Sequence, residues 1–214
     1  MAVVPHPECA RILAEIYHRS FAGQYAAAYQ IKRAQMIRVT GRPVFHKTSV
    51  DDVADLLCPH DLILIDRDSH YVVHSFGAFS SVPFFEVQKG AKVLGGAFAN
   101  TQSDTTEASM HTPRECARLL ATLFLEQEKA EGSGNYRISR DDIVRITGRP
   151  IIHQTIIEDI ADWLVDLGLI LVDRDSFFVV LQHDYFDEVR WAPESVLNDY
   201  AQDVTFGEPG LALK

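Results

Sequence analysis

The tetrapeptide DRDS occurs twice, at Asp66–Ser69 and Asp173–Ser176, and each time sets two carboxylates two positions apart. A divalent cation or an acid–base pair would use such an arrangement. A tight connection between two strands needs the same residues, because Asp side chains accept hydrogen bonds from nearby backbone, and the motif is read here as a turn. Cys58, His60, His70 and His74 offer thiol and imidazole ligands close together in sequence. Their spacing fits no common zinc pattern, so no metal is expected. No Gly-rich phosphate loop, nucleophile elbow or Cys–His pairing occurs. The expectation is therefore a protein without catalytic residues, without cofactor and without enzymatic activity.

Charge is the remaining chemistry. Residues 16–50 contain no acid, yet hold Arg19, Lys32, Arg33, Arg38, Arg42 and Lys47, with Tyr25 and Tyr29 among them. Cations in such a stripe could neutralise phosphates. Equivalent positions later in the chain keep Arg140, Arg145 and Arg149 but interpose Asp141 and Asp142. Opposite in sign are Asp51, Asp52 and Asp55, and Glu158, Asp159, Asp162 and Asp166. Of the formal net charge of −10, nearly all belongs to the second half of the chain.

The recurrence of these groups is not accidental. VTGRPVFHKT (Val39–Thr48) returns as ITGRPIIHQT (Ile146–Thr155), and residues 8–75 align with 115–182 without a gap, with 29 of 68 positions identical. A repeat of this length is a small domain, not a solenoid unit. Two tandem copies of one fold, from an internal duplication, are expected. The expected division is 1–98 for the first copy, including an extended apolar segment at 76–98. A polar linker at 99–111, a second copy at 112–192 and a short acidic helix with tail at 193–214 complete it.

Composition agrees: 47% of residues are hydrophobic and 23% charged, ordinary for a chain that buries a core. No apolar run is long enough to span a bilayer, and no leader peptide is recognisable, which points to a cytoplasmic protein without membrane contact. Three cysteines suit buried, reduced thiols better than a disulfide framework.

Local signals give the elements. Thr112, Pro113 and Glu115 open a first helix with a capping box, followed by Cys116, Leu119, Leu120, Leu123 and Phe124 at helical spacing. Its counterpart covers Glu8 to about Arg19. YRI is a short strand. Ser139 with Asp142 caps a second helix that ends at Gly148 and Pro150. Thr155 with Glu158, and Thr48 with Asp51, cap a third helix running to Gly168, with Ile157, Ile160, Ala161, Leu164 and Leu167 as its buried stripe. His46 and His153 are expected to hydrogen-bond to the preceding turn. LILVD and SFFVV form a hairpin. The class is α+β.

Helix, strand, helix, helix, hairpin resembles the winged-helix domain of bacterial regulators, carried by ITGRPIIHQTIIEDIADWLVDLGLILVDRDSFFVV and its first-copy equivalent. The first copy departs in having Asp61 where the second has Gly168. The resemblance implies a third helix that enters the major groove, with the second helix and the wing on phosphates. The outward acids of the third helix oppose ordinary insertion. Two readings stay open. One is a nucleic-acid-associated regulator that grips the DNA backbone through Lys32, Arg33, Arg38, Arg42, Lys47, Arg67, Arg145 and Arg149. The other is a protein-interaction adaptor or inhibitor that uses Asp51, Asp52, Asp55, Glu158, Asp159, Asp162 and Asp166, as tandem winged-helix subunits of larger complexes do. A protein partner or self-association belongs to the second reading. The arginines near helix ends also suit the helix dipole or intramolecular pairing with acids.

Overall fold

The computed structural model describes residues 3–21, 28–42, 44–67, 69–85, 110–174 and 176–201. It is an α+β protein of two compact units. The first takes in the chain up to Phe79 and again from Glu188; the second is Ser80–Asp187. Tyr25, Asp68, Asp175, the 86–98 part of the apolar segment, the linker to residue 109 and the tail from 202 lie outside the described residues.

In the first unit α1 (His6–Phe21) precedes β1 (Ala28–Lys32), α2 (Arg33–Thr40), α3 (Lys47–Leu57), β2 (Leu62–Arg67) and β3 (His70–Ser75). The antiparallel sheet has the order β1-β3-β2. Leu13 and Ile16 of α1, Met36 and Val39 of α2, and Val53 and Leu57 of α3 meet Tyr29, Ile31, Leu62 and Val73 of the sheet in one core. Buried Tyr29 donates its hydroxyl to the Leu13 carbonyl at 2.9 Å, which ties strand to helix. Burial without a charged partner raises its pKa well above the ordinary value.

The second unit repeats this order with α4 (Pro113–Glu131), β4 (Tyr136–Ser139), α5 (Arg140–Thr147), α6 (Gln154–Asp166), β5 (Leu169–Asp173) and β6 (Phe177–Gln182). Its sheet order is β4-β6-β5. The register repeats as well: Gln30 faces Val72, and Arg137 faces Val179. Tyr136 donates to Leu120 as Tyr29 does to Leu13. The shared decamer begins with the end of the second helix. Gly41 and Gly148 are left-handed at φ 65°, and their N–H groups donate to Ile37 and Arg145. Thr40 and Thr147 turn their hydroxyls onto Met36 and Val144.

Each sheet gains an outer neighbour from far along the chain. Gln30 donates its N–H to Arg190 O and accepts from Ala192 N, both at 2.8 Å. Arg137 donates to Pro83 O at 2.7 Å and accepts from Phe85 N at 2.8 Å. Both are single parallel bridges, Gln30 with Trp191 and Phe84 with Arg137. The segment that follows the first hairpin thus closes the second unit, and the segment that follows the second hairpin closes the first. Beyond Trp191, α7 (Glu194–Asn198) docks with Leu197 in the core of the first unit.

Several sequence expectations hold. The Thr112–Glu115 capping box, the Ser139 cap and the strand at Tyr136 are present. Others are corrected. The units do not divide at a 99–111 linker, because residues 80–85 pack with the second and the stretch from Glu188 with the first. Phe76–Ser81 is a 3-10 turn and not extended, with Phe79 stacked on His74 at 5.0 Å. The third helices start earlier than a Thr cap allows. His46 and His153 are their N-caps through backbone carbonyls, with no side-chain cap bond. Leu167 lies past the end of α6 and is 47% exposed. Cys9 and Cys116 are buried and burial pushes both thiols up to about 11, whereas Cys58 is exposed. Among the described residues no helix is long and apolar enough to cross a membrane.

Gly168 and Asp61 share a left-handed backbone, at φ 76° and 57°. A Cβ at Gly168 would meet nothing within 4 Å, so Gly168→Ala carries a purely conformational cost of about 1–2 kcal/mol. Gly168→Asp should cost less, since Asp tolerates this region; urea unfolding of the two variants measures the difference.

His74 is buried, and burial lowers its pKa below 6.5. The folded state holds it neutral while the unfolded chain binds a proton more readily, so stability falls as pH drops below about 6.5. Leu181 occupies the matching position of the second unit. His74→Leu should flatten the fall in melting temperature between neutral pH and the lowered pKa; an unchanged slope would contradict this.

Candidate interaction surfaces

The basic residues of the first unit are mostly engaged within it. Arg33, at the start of α2, reaches across to the hairpin, donating to Asp66 and to the Tyr71 hydroxyl at 2.5 Å each and to the Arg67 carbonyl at 2.9 Å. Its guanidinium lies 4.7 Å from the Tyr71 ring centroid. Arg140 repeats this with Asp173, the Arg174 carbonyl and the Phe178 ring. The first Asp of each DRDS therefore anchors the hairpin to the second helix. Arg42 donates to the Val4 carbonyl at 3.1 Å, and Arg145 pairs with Asp142 one turn back at 3.0 Å. Arg149 is half-buried, with its N–H on Thr147 Oγ1 at 3.3 Å. Lys32 stands over Trp191, its Nζ 5.4 Å from the ring centroid. Lys47 is exposed at the first residue of α3, and Arg67 is half-buried in the hairpin.

Helix α7 and the residues just after it engage Arg19, Gln35 and Arg38. Gln35 donates to Glu194 and Arg38 to Asn198, both at 2.6 Å, and Arg38 lies 3.4 Å from Glu194. Arg19 pairs with Asp199 at 2.7 Å, and Tyr200 donates to Glu15 at 2.8 Å. These partners were not evident from sequence. α7 follows the second unit in sequence, and only the charge match of an acidic segment with an acid-free one hinted at them.

The carboxylates of the third helices point outward. Asp51, Asp52 and Asp55 on α3 are exposed, as are Asp159, Asp162 and Asp166 on α6, while Glu158 is half-buried. His6 Nδ1 lies 3.0 Å from Asp52. Beside them are exposed apolar side chains: Leu56 on α3, and Trp163 and Val165 on α6. The possible metal ligands do not converge. Cys58 and His60 are exposed just beyond α3, His70 is held by Ser69 and Trp191, and His74 is buried.

One surface of the second unit is built from residues that differ from those at the matching positions of the first. Arg114 and Arg118 on α4 line a cavity of about 180 Å³ with Trp163, Asp166 and Leu167. The Arg114 guanidinium sits 4.7 Å from the Trp163 ring centroid. The matching residues of the first unit are Pro7, Arg11, Leu56, Pro59 and His60.

Leu197 is 1% exposed, so Leu197→Ala should cost about 2–5 kcal/mol and loosen α7. Hydrogen exchange should then report faster opening of α7 with α1 less affected. Comparison with protein-family models, curated proteins and solved structures gave no match.

Proposed function

We propose that this chain is a protein-interaction adaptor built on two winged-helix units that arose by duplication, and that the outward carboxylate faces of α3 and α6 are its contact surfaces. The observation that carries this reading is the engagement of the basic stripe. Arg33, Arg38, Arg42 and Arg145 hold carboxylates or carbonyls of their own unit. A phosphate would have to displace those partners before it gained the contact, and phosphate neutralisation supplies most of the affinity for nucleic acid. The faces that remain outward are acidic with isolated apolar side chains, which suits a basic partner surface.

A DNA-backbone regulator is the second reading. It is favoured by exposed Lys47 at the head of α3 and exposed Lys32 beside Trp191. One pair of measurements separates the two. Under the adaptor reading the full chain binds neither duplex nor single-stranded DNA at ~50 mM salt, where phosphate contacts are strong. A protein captured by the wild type is lost when Asp51, Asp52, Asp55, Asp159 and Asp162 are changed to Asn. DNA binding that disappears on Arg38→Glu, Arg42→Glu and Lys47→Glu would replace the adaptor with the regulator.

A further inference from the structure

The second unit differs from the first at one place where the fold itself does not require it. In the first unit Arg11 is held between Glu8 and Glu15. In the second, Glu115 is drawn back into the capping box with Thr112, and Thr122 stands where Glu15 stands. Thr122 turns its hydroxyl onto the Arg118 carbonyl at 2.9 Å. Arg118 thereby keeps its charge but loses both clamps. Arg114 replaces Pro7 and lies over Trp163, which replaces Leu56. Both arginines are exposed, and neither has a carboxylate within ion-pair distance among the described residues.

We infer that the α4–α6 groove formed by Arg114, Arg118, Trp163 and Leu167 is a docking site for a partner protein's acidic segment that carries one bulky apolar side chain. Size and charge together select this occupant. A cavity of about 180 Å³ falls below the roughly 300–1,000 Å³ of small-molecule sites, and suits a single side chain set on the Trp163 face. The arginines match carboxylates, to which a guanidinium fork can bind bidentately. Asp166, on the lining, confines the acids to the Arg114 and Arg118 side. The chain already contains this mode of recognition: α7 docks on the first unit through Leu197 in the core and through Glu194 and Asp199 on Arg38 and Arg19. The inference rests on the adaptor reading for its premise that the second unit meets another protein; it shares Trp163 and Asp166 of α6 with that reading but turns on Arg114 and Arg118 of α4.

The chain has two tryptophans, so Trp191→Phe leaves the Trp163 indole N–H as a single NMR reporter that detects weak binding. The probe is the peptide DEALADE, with DEAAADE lacking the anchor and KKALAKK reversing the charge. DEALADE should shift the Trp163 signal in a saturable way, and raised salt should weaken it. DEAAADE should bind at least tenfold more weakly, and KKALAKK should not bind. The double change Arg114→Glu with Arg118→Glu should lower affinity for DEALADE by more than tenfold, whereas Arg11→Glu should leave it as it is. Melting curves confirm that the variants are folded. Absence of a saturable shift, equal response to KKALAKK, or full binding by the double variant would overturn the docking site. The outward Asp residues of α3 take no part in this measurement, so its failure would leave the adaptor reading to its own test.

Discussion

Gln30 and Arg137 each hold a distant stretch of backbone by a pair of main-chain hydrogen bonds, and the closure of both units depends on those pairs. Without them the outer edges of β1 and β4 would present unpaired N–H and C=O groups, a template for pairing with other chains. The bridges also place Trp191 and Phe84 at matching positions. Trp191 meets His70 and Lys32; Phe84 meets Phe177 and the Arg137 guanidinium, whose Nε donates to the Val82 carbonyl at 2.5 Å. A cation held against an aromatic face therefore covers each sheet edge, although the residues that do so differ between the units.

Charge in this protein is arranged first for cohesion. The arginine at the head of each second helix binds the hairpin, and the arginines further along bind α7 or a neighbouring turn. Each pair is half-exposed and worth modest energy alone, but the group fixes which element lies against which. What faces outward differs by element. On the third helices it is mostly negative charge; on α4 of the second unit it is positive charge beside an indole ring.

Features set by short-range chemistry were legible in the sequence. Thr112 with Glu115, Ser139 with Asp142, and the glycines of the decamer each satisfy backbone groups a few positions away, so their residue types announce them. The third-helix start was misread because a Thr–x–x–acid pattern also arises inside a first turn, where an acid favours the helix dipole without capping it. The closing bridges were illegible for a different reason. One parallel bridge imposes no periodicity, and neither Pro83–Phe85 nor Arg190–Ala192 reads as a strand. The residue types of the basic stripe were legible, but the partners of Arg19, Gln35 and Arg38 lie at residues 194–199, more than a hundred positions away in sequence. The α4–α6 groove had a readable signal in the replacement of Glu15 by Thr122, of Pro7 by Arg114 and of Leu56 by Trp163. It appears only when the two units are compared for their differences.

Translation runs in one direction, and the placement of α7 gives that direction a consequence. The second unit is continuous in sequence, whereas the first waits for Arg190–Ala192 and Leu197. At a synthesis rate of ~5–20 residues per second, the ribosome needs roughly 6–24 s to travel from the end of β3 to those residues. Throughout that interval the nascent first unit lacks its edge cover and one wall of its core. A segment made later thus completes a unit made earlier, and a message that stops before Arg190 releases the first unit with β1 open.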